Sequence, residues 1–335
     1  MENLPDYIKI NKQTWNNKTD IHIDSDFYDV KSFLAGKSTL NQIELALLGN
    51  LSNIKILHLQ CHFGQDSLSL SRMGAKVVGV DFSDKAIEKA KAFNTKLGLD
   101  AAFICCDVYD TPTHLDEQFD IVFTSYGTIG WLPDLDKWAQ VITHFLKPNG
   151  TFIMADFHPV VWMYDNDFKE VFYSYFNNEP IIEEELGTYA NKEASISNQT
   201  IGWNHPISEI VNALIGNGLQ INCFNEYDYS PYNCLNEMEE FEPNKFRIKT
   251  FGNKIPLADR DQKSIWKVAS LGDSFDNSTG LQGMKICNQN GQVVKGDLLC
   301  SSDVPGYAMK QPVEYVIIGF DNDVPQYEER QTINS

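Results

Sequence analysis

The stretch from Ile54 to Ser83, IKILHLQCHFGQDSLSLSRMGAKVVGVDFS, constrains the fold more than any other part of the chain. It opens with a short apolar run, Ile54 to Leu59, broken by Lys55 and His58. A compact turn follows, Gln60-Cys61-His62-Phe63-Gly64, then a helical pattern from Ser67 to Met73 with Leu68 and Leu70 apolar. Gly74 stops that helix, because a glycine just past a helix end adopts the left-handed conformation without a Cβ clash. A second apolar run, Val77 to Val80, ends in Asp81. Strand, turn, helix, and strand with an acid at its tip make the first βαβ unit of a doubly wound α/β sheet. Ligands of such sheets sit across the carboxyl ends of the strands. From Gly64 to Asp81 is 81 − 64 = 17 positions, close to the roughly 20 that set an acid against the hydroxyls of a bound ribose.

The turn discriminates between nucleotide-like ligands. A dinucleotide carries a pyrophosphate, and its fingerprint needs three glycines so that backbone can approach the phosphates. Only Gly64 is present here; Gln60 and His62 stand where the earlier glycines would be. S-adenosylmethionine has no phosphate. It carries an ammonium, a carboxylate and a sulfonium, and its ribose still calls for an acid. Side chains in the turn are then tolerable, and they can serve as hydrogen-bond partners.

His58-Leu59-Gln60-Cys61-His62-Phe63-Gly64-Gln65-Asp66 resembles the first motif of class I S-adenosylmethionine-dependent methyltransferases, most closely that of a bacterial subgroup. The resemblance extends over residues 1–257. It implies a Rossmann-like sheet of seven strands under an aromatic N-terminal lid, with S-adenosylmethionine as the cofactor. The family pattern has an acid in place of His58 and glycines in place of Gln60 and His62. Gln60 and Asp66 are then left to meet the methionine ammonium. The resemblance further assigns Asp81 and Phe82 to the ribose, and Asp107 to the adenine amino group with the Val108 backbone against the ring. The turn residues Gln60, His62 and Gly64, and Ser125 at the tip of a later strand, complete the expected donor site.

The rest of the chain fits the same rhythm. Asn41 to Leu48 reads as an amphipathic helix, preceded by scattered aromatics at Tyr7, Trp15, Phe27, Tyr28 and Phe33. Ser83 can cap a helix that Gly98 ends, with Ala86, Ile87, Ala90 and Phe93 on one face. Ala101 to Cys105, Phe119 to Ser125 and Thr151 to Ala155 read as further strands, with a helix from Leu135 to Phe145 and a turn at Lys147-Pro148-Asn149-Gly150. Residues 160–200 break the pattern with aromatics and the triplet Glu183-Glu184-Glu185. They are expected to form an inserted cap over the acceptor, with the triplet as a solvated face. A helix from Ile207 to Ile215 follows. Leu219 to Tyr227 and Phe246 to Phe251 are expected as the closing antiparallel hairpin.

Beyond Leu257 the character changes. Residues 258–335 are rich in Gly, Asn and Asp, with short β-like runs at Ile265 to Ala269, Val293-Val294, Asp297 to Cys300 and Tyr315 to Phe320. Gly296 to Cys300 and Pro305-Gly306-Tyr307 resemble a fragment of a phage tail-fibre or similar virion module. The expected division is therefore 1–257 as the methyltransferase domain and 258–335 as a small β-rich appendage, with a truncated virion-type module as one reading of it and a lineage-specific β appendage as the other.

Bulk properties narrow the function. With 46 acids against 27 bases, the formal net charge is −19, which repels polyphosphate and argues against a nucleic-acid partner. The seven cysteines include no CxxC pair, so reduced thiols in a cytoplasm are expected rather than zinc or a disulfide framework. No apolar run approaches the roughly 18 residues of a membrane span. The expected activity is methyl transfer to a small molecule. His158, at a strand end, and His205, at a helix start, are candidate bases, since an imidazole with a pKa of about 6.5 suits that role at neutral pH. Tyr126 and Trp203 are candidate pocket walls. The rival readings are a nicotinamide-dependent oxidoreductase, disfavoured by the turn, and a virion structural or adhesion protein carrying this domain.

Overall fold

The computed structural model describes residues 6–177 and 179–249, and the backbone of 299–301, 308–310, 314–321 and 324–330. The chain divides into two compact units, one of Met1–Gln220 with Asp228–Lys254, the other of Ile221–Tyr227 with Ile255–Ser335.

The first unit is built on five parallel strands: β1 (Lys55–Leu59), β2 (Lys76–Asp81), β3 (Ala102–Cys105), β4 (Phe119–Ser125) and β5 (Leu146–Ala155). Their order, β3-β2-β1-β4-β5, reverses its direction of winding between β1 and β4. That reversal opens a crevice at the carboxyl ends of these two strands. Alternate residues of the central strands feed opposite faces. Ile56 of β1 and Ile121 and Phe123 of β4 enter one core, with Phe33, Phe63 and Leu68. Leu57 and Leu59 of β1 and Val122 of β4 enter the other, with Trp138, Ile142 and Phe145. Strands buried on both faces carry near-continuous apolar runs, which is why Ile54 to Leu59 lacks polar alternation.

The helices cover both faces in sequence order. α1 (Tyr7–Ile23), α2 (Val30–Leu34) and α3 (Gln42–Leu48) precede β1; α4 (Gln65–Arg72) links β1 to β2, and α5 (Asp84–Leu97) links β2 to β3. α6 (Thr111–His114) and α7 (Leu135–Phe145) flank β4, and α8 (Ile207–Gly216) follows the inserted segment. The caps read from the sequence form. Ser83 Oγ accepts from the Ala86 amide at 3.1 Å, and Gly98 ends α5 at φ +63°. The KPNG turn lies inside β5 as a bulge, since Phe119 pairs with Leu146 but Ile121 with Thr151. No helix among the described residues is long and apolar enough to cross a membrane.

Two expectations change. Leu219 to Tyr227 forms no strand. Instead β8 (Met238–Glu242) pairs with β9 (Lys245–Ile248) as a separate antiparallel hairpin, so the sheet among the described residues has five strands, not seven. The acid triplet is also not a solvated face. It lies in β6 (Ile181–Leu186), antiparallel to β7 (Ser197–Gly202). The two-residue period of a strand turns Glu183 and Glu185 to the half-buried side and leaves Ile182 and Leu186 exposed.

In the second unit, β10 (Leu299–Ser301) pairs antiparallel with β11 (Ala308–Lys310), and β12 (Glu314–Asp321) with β13 (Val324–Arg330). The expected run Tyr315 to Phe320 lies within β12; the expected runs at Ile265 to Ala269 and Val293-Val294 lie outside the described residues.

Candidate active site

The carboxyl ends of the five strands open into a cavity of about 1530 Å³. Every expected donor residue lines it: Gln60, His62, Gly64, Asp66, Asp81, Phe82, Asp107, Val108 and Ser125. Tyr126 and Trp203 form part of its wall. His158 and His205 do not line it.

The turn after β1 holds an unusual backbone. Gln60, His62 and Gly64 all have positive φ, at 55°, 51° and 76°. This is the conformation that three glycines would adopt without strain, and here two side-chain-bearing residues hold it. Left-handed backbone at such residues costs on the order of 1–3 kcal/mol each and concentrates at functional sites. Gly64 cannot be replaced in the same way, because a Cβ there would sit 2.7 Å from the Phe103 ring. The Gln60 and His62 side chains brace the turn in two directions. Gln60 Nε2 donates to the Thr128 carbonyl at 2.9 Å, across to the loop after β4. The His62 ring packs against Trp15 and His22 of α1 at 5.1 and 5.4 Å between centroids. Burial pushes His62 down to about 3 and His22 to about 2, so both are neutral imidazoles.

Three acids stand around the cavity. Asp81, at the tip of β2, accepts from the amides of His62 (2.8 Å) and Ser83 (2.9 Å). Burial nevertheless raises its carboxyl to about 6. Asp107 follows β3 and accepts from the Tyr109 amide at 2.8 Å; burial pushes its pKa up as well. Asp66, in the first turn of α4, accepts from Thr39 Oγ (2.5 Å) and Ser125 Oγ (3.0 Å).

Tyr126 sits at φ 48° directly after β4. Its hydroxyl donates to Glu44 Oε2 at 2.7 Å. Burial first, and then the Glu44 charge, pushes its pKa strongly upward. His205 is 5% exposed; its Nε2 lies 2.7 Å from the Leu132 carbonyl and its Nδ1 3.1 Å from Glu209 Oε2. His158 caps a short 3-10 turn, its Nδ1 accepting from the Val160 amide at 3.1 Å. Both imidazoles thus serve the chain that surrounds the cavity.

Several residues escaped sequence reasoning. Asp156, after β5, accepts from the amides of Gly127 (2.6 Å), Thr128 (3.0 Å) and Phe157 (2.7 Å) and so shapes the loop after β4. Glu44 is wholly buried and also accepts from the Asn41 amide at 2.6 Å. The Asn41-x-x-Glu44 spacing of a capping box was its available signal. Lys18 is 2% exposed, pairs with Glu185 at 2.5 Å and lies over the rings of Trp15 and Trp131. With Asn11 and Thr14, which bond the backbone of β7, it fastens α1 to the β6–β7 pair. Residues 11, 14 and 18 share one helix face, but a polar stripe carries no amphipathic signal.

Comparison with known proteins finds methyltransferases among those similar to this chain. Residues 50–205 match the family model described as a methyltransferase domain. An uncharacterized methyltransferase of Synechocystis sp. is 31% identical over 133 residues, which cover 39% of this chain and 60% of that protein. An uncharacterized protein of Haemophilus influenzae is 29% identical over 157 residues, covering 43% of this chain and 61% of its own. The chain thus spans about 60% of the length of these two relatives. A solved S-adenosylmethionine-dependent methyltransferase from Clostridium acetobutylicum aligns at 18% identity over 69% of this chain and 94% of its own, with a TM-score of 0.43. The fold assignment rests on the strand order rather than on that likeness. Residues 50–205 are thus similar to a methyltransferase domain.

Proposed function

We propose that this protein transfers a methyl group from S-adenosylmethionine to a small-molecule acceptor. The observation that carries the reading is the turn after β1. Its backbone has positive φ at Gln60, His62 and Gly64, yet Gln60 and His62 carry side chains where a dinucleotide fingerprint needs glycines for the pyrophosphate. The residues present fit the donor. Gln60 Oε1 and His62 Nε2 are buried, without a partner, on residues that line the cavity, and buried polar atoms call for one.

When bound, S-adenosylmethionine supplies an electrophilic methyl group on a positively charged sulfur. In this reading Asp81, backed by the His62 and Ser83 amides, accepts from the ribose hydroxyls, and Asp107 accepts from the adenine amino group, with Phe82 and Val108 against the nucleoside. Trp15, Trp131, Tyr126 and Trp203 wall the cavity and exclude water; aromatic faces also favour a cation. The cavity exceeds the few hundred to 1,000 Å³ common for single-ligand pockets, leaving space for a small acceptor beside the donor. No proton is routed through His158 or His205, which stand outside the lining. An acceptor that attacks as a neutral amine or an already ionised oxygen or sulfur fits this best.

We read the protein as cytoplasmic and residues 258–335 as an appendage, with the virion-module resemblance as its proposed origin. Among the described residues, none beyond Phe246 lines the cavity. The acceptor class is tested with a tritiated methyl donor and a cell extract. Label should appear in the low-mass fraction. Label confined to protein or nucleic acid would overturn the small-molecule assignment.

A further inference from the structure

Glu44 is a buried acid to which the donor reading gives no task. It is the third residue of α3 and is 0% exposed. Its two oxygens divide their partners. Oε1 closes the capping box, accepting from the Asn41 amide at 2.6 Å and from Asn41 Nδ2 at 3.2 Å. Oε2 accepts from the Tyr126 hydroxyl at 2.7 Å. A capping box needs only the first of these. Glu44 forms no ion pair among the described residues, and the charge that acts on it, Asp66 of α4, has the same sign. Burial, with Asp66 adding to it, holds the Glu44 carboxyl above its usual range. A buried acid with no cation beside it is suited to taking up a proton.

Tyr126 connects this acid to the cavity. It lines the wall with Tyr232 and Phe157, whose ring centroids lie 5.0 and 6.3 Å from its own. Asn41 Nδ2 also donates to the Tyr232 hydroxyl at 2.7 Å, so the titratable groups around Glu44 are Tyr126, Tyr232 and Asp66. The Tyr126 hydroxyl gives its proton to Glu44 and keeps oxygen lone pairs for a donor from the cavity side. Its strongly raised pKa opposes a phenolate, so it can pass a proton on only while receiving another. Ten acids and four lysines are among the lining residues, a balance that favours a cationic acceptor over an anionic one.

We infer that the acceptor is a small amine, and that Glu44, acting through Tyr126, takes the proton that its ammonium form must lose before attack. This rests on the methyl-donor reading, and the test separates the two. An N–H of the bound ammonium donates to the Tyr126 oxygen. That proton crosses to Tyr126 as the hydroxyl proton of Tyr126 passes to Glu44 Oε2. Tyr126 ends neutral, Glu44 becomes a carboxylic acid and the amine is left uncharged. Burial disfavours an ammonium and a carboxylate alike, so it favours a transfer that removes both charges. The freed nitrogen pair then bonds the methyl carbon, while the pair of the broken carbon–sulfur bond stays on sulfur. The N-methylammonium leaves with its remaining protons, and Glu44 returns its own to water.

The full-length protein is assayed with methyl-tritiated S-adenosylmethionine and the low-mass fraction of a cell extract. Label should appear in products, separated from the donor, that bind a cation exchanger in acid and are released in alkali. Glu44→Gln keeps a residue that a capping box accepts, and Tyr126→Phe breaks the relay without touching the box. Both variants should bind S-adenosylhomocysteine as the wild type does and transfer methyl ~10²–10⁴-fold more slowly at neutral pH. Raising the pH should restore them by about tenfold per unit, as the amine's own ionisation replaces the relay; a merely structural role would slow transfer equally at every pH. A wild-type rate in Glu44→Gln, a loss independent of pH, or the absence of a labelled base from a protein that binds S-adenosylhomocysteine would overturn the inference. Failure of the wild-type protein to bind S-adenosylhomocysteine would overturn the donor reading itself.

Discussion

Asp81 gives a prediction with two opposite signs. Its carboxyl is 8% exposed, and burial outweighs the Ser83 and His62 amides to hold it at about 6 rather than 3.8. Between those values the folded chain keeps a proton that the unfolded chain has lost. Stability therefore falls as pH rises through this window, because the native state binds more protons. The difference between 3.8 and about 6 corresponds to about 3 kcal/mol at neutral pH, of which about 2–3 kcal/mol develops between pH 4 and pH 7. Asp81→Asn removes the ionisation. The stability of wild type minus variant, from urea unfolding at pH 4, 5.5 and 7, should fall by that amount toward pH 7. Donor affinity should move the other way, since the ionised carboxylate is the better acceptor for ribose hydroxyls. Wild-type affinity for S-adenosylhomocysteine should climb as pH rises through about 6. The variant should show no such limb and bind about tenfold to a hundredfold more weakly at pH 7. A stability difference constant across this range would refute the burial argument. An affinity flat through pH 6 in the wild type would remove Asp81 from the ribose.

Three further outcomes follow from packing. Gly64→Ala combines a positive φ with a Cβ that would lie 2.7 Å from Phe103; it should destabilise by about 1–3 kcal/mol or more, and thermal melting within error of the wild type would contradict it. Lys18→Met unfastens α1 from Glu185, whose side chain is 33% exposed and can hydrate. Global stability should change by no more than about 1 kcal/mol, while amide exchange in α1 accelerates; unchanged exchange would place the anchor elsewhere. Because the described cavity lining ends at Phe246, a chain of residues 1–257 should keep the donor affinity of the full protein, and a folded 1–257 fragment that binds nothing would assign the tail to the site.

Much of the parallel sheet was legible because local and long-range signals agree there. Ser83 and Gly98 bound α5 where the helical period begins and ends, and the central strands are apolar on both faces because both are buried. Asp81 and Asp107 were legible as acids directly after apolar runs. Other features depend on contacts that no local pattern records. Lys18 and Glu185 are 167 positions apart, and neither has a periodic neighbour that points to the other. The left-handed backbone of Gln60 and His62 was hidden because sequence normally signals it with glycine. Glu183 and Glu185 face inward in β6, against the usual pairing of charge with solvent, because Tyr173 and Lys18 wait on that side. The expected strand at Leu219 to Tyr227 is irregular backbone, although Leu219, Ile221 and Cys223 alternate with polar residues as a strand would.

The identity of the donor is the claim on which the account turns, and titration calorimetry measures it directly. The full-length protein is titrated in parallel with S-adenosylmethionine, S-adenosylhomocysteine and NAD. The account predicts saturable binding of the first two at a shared site, shown by competition, and no binding of NAD, because the turn has Gln60 and His62 where a dinucleotide fingerprint needs glycines. Saturable binding of NAD with no binding of either sulfur ligand would contradict it.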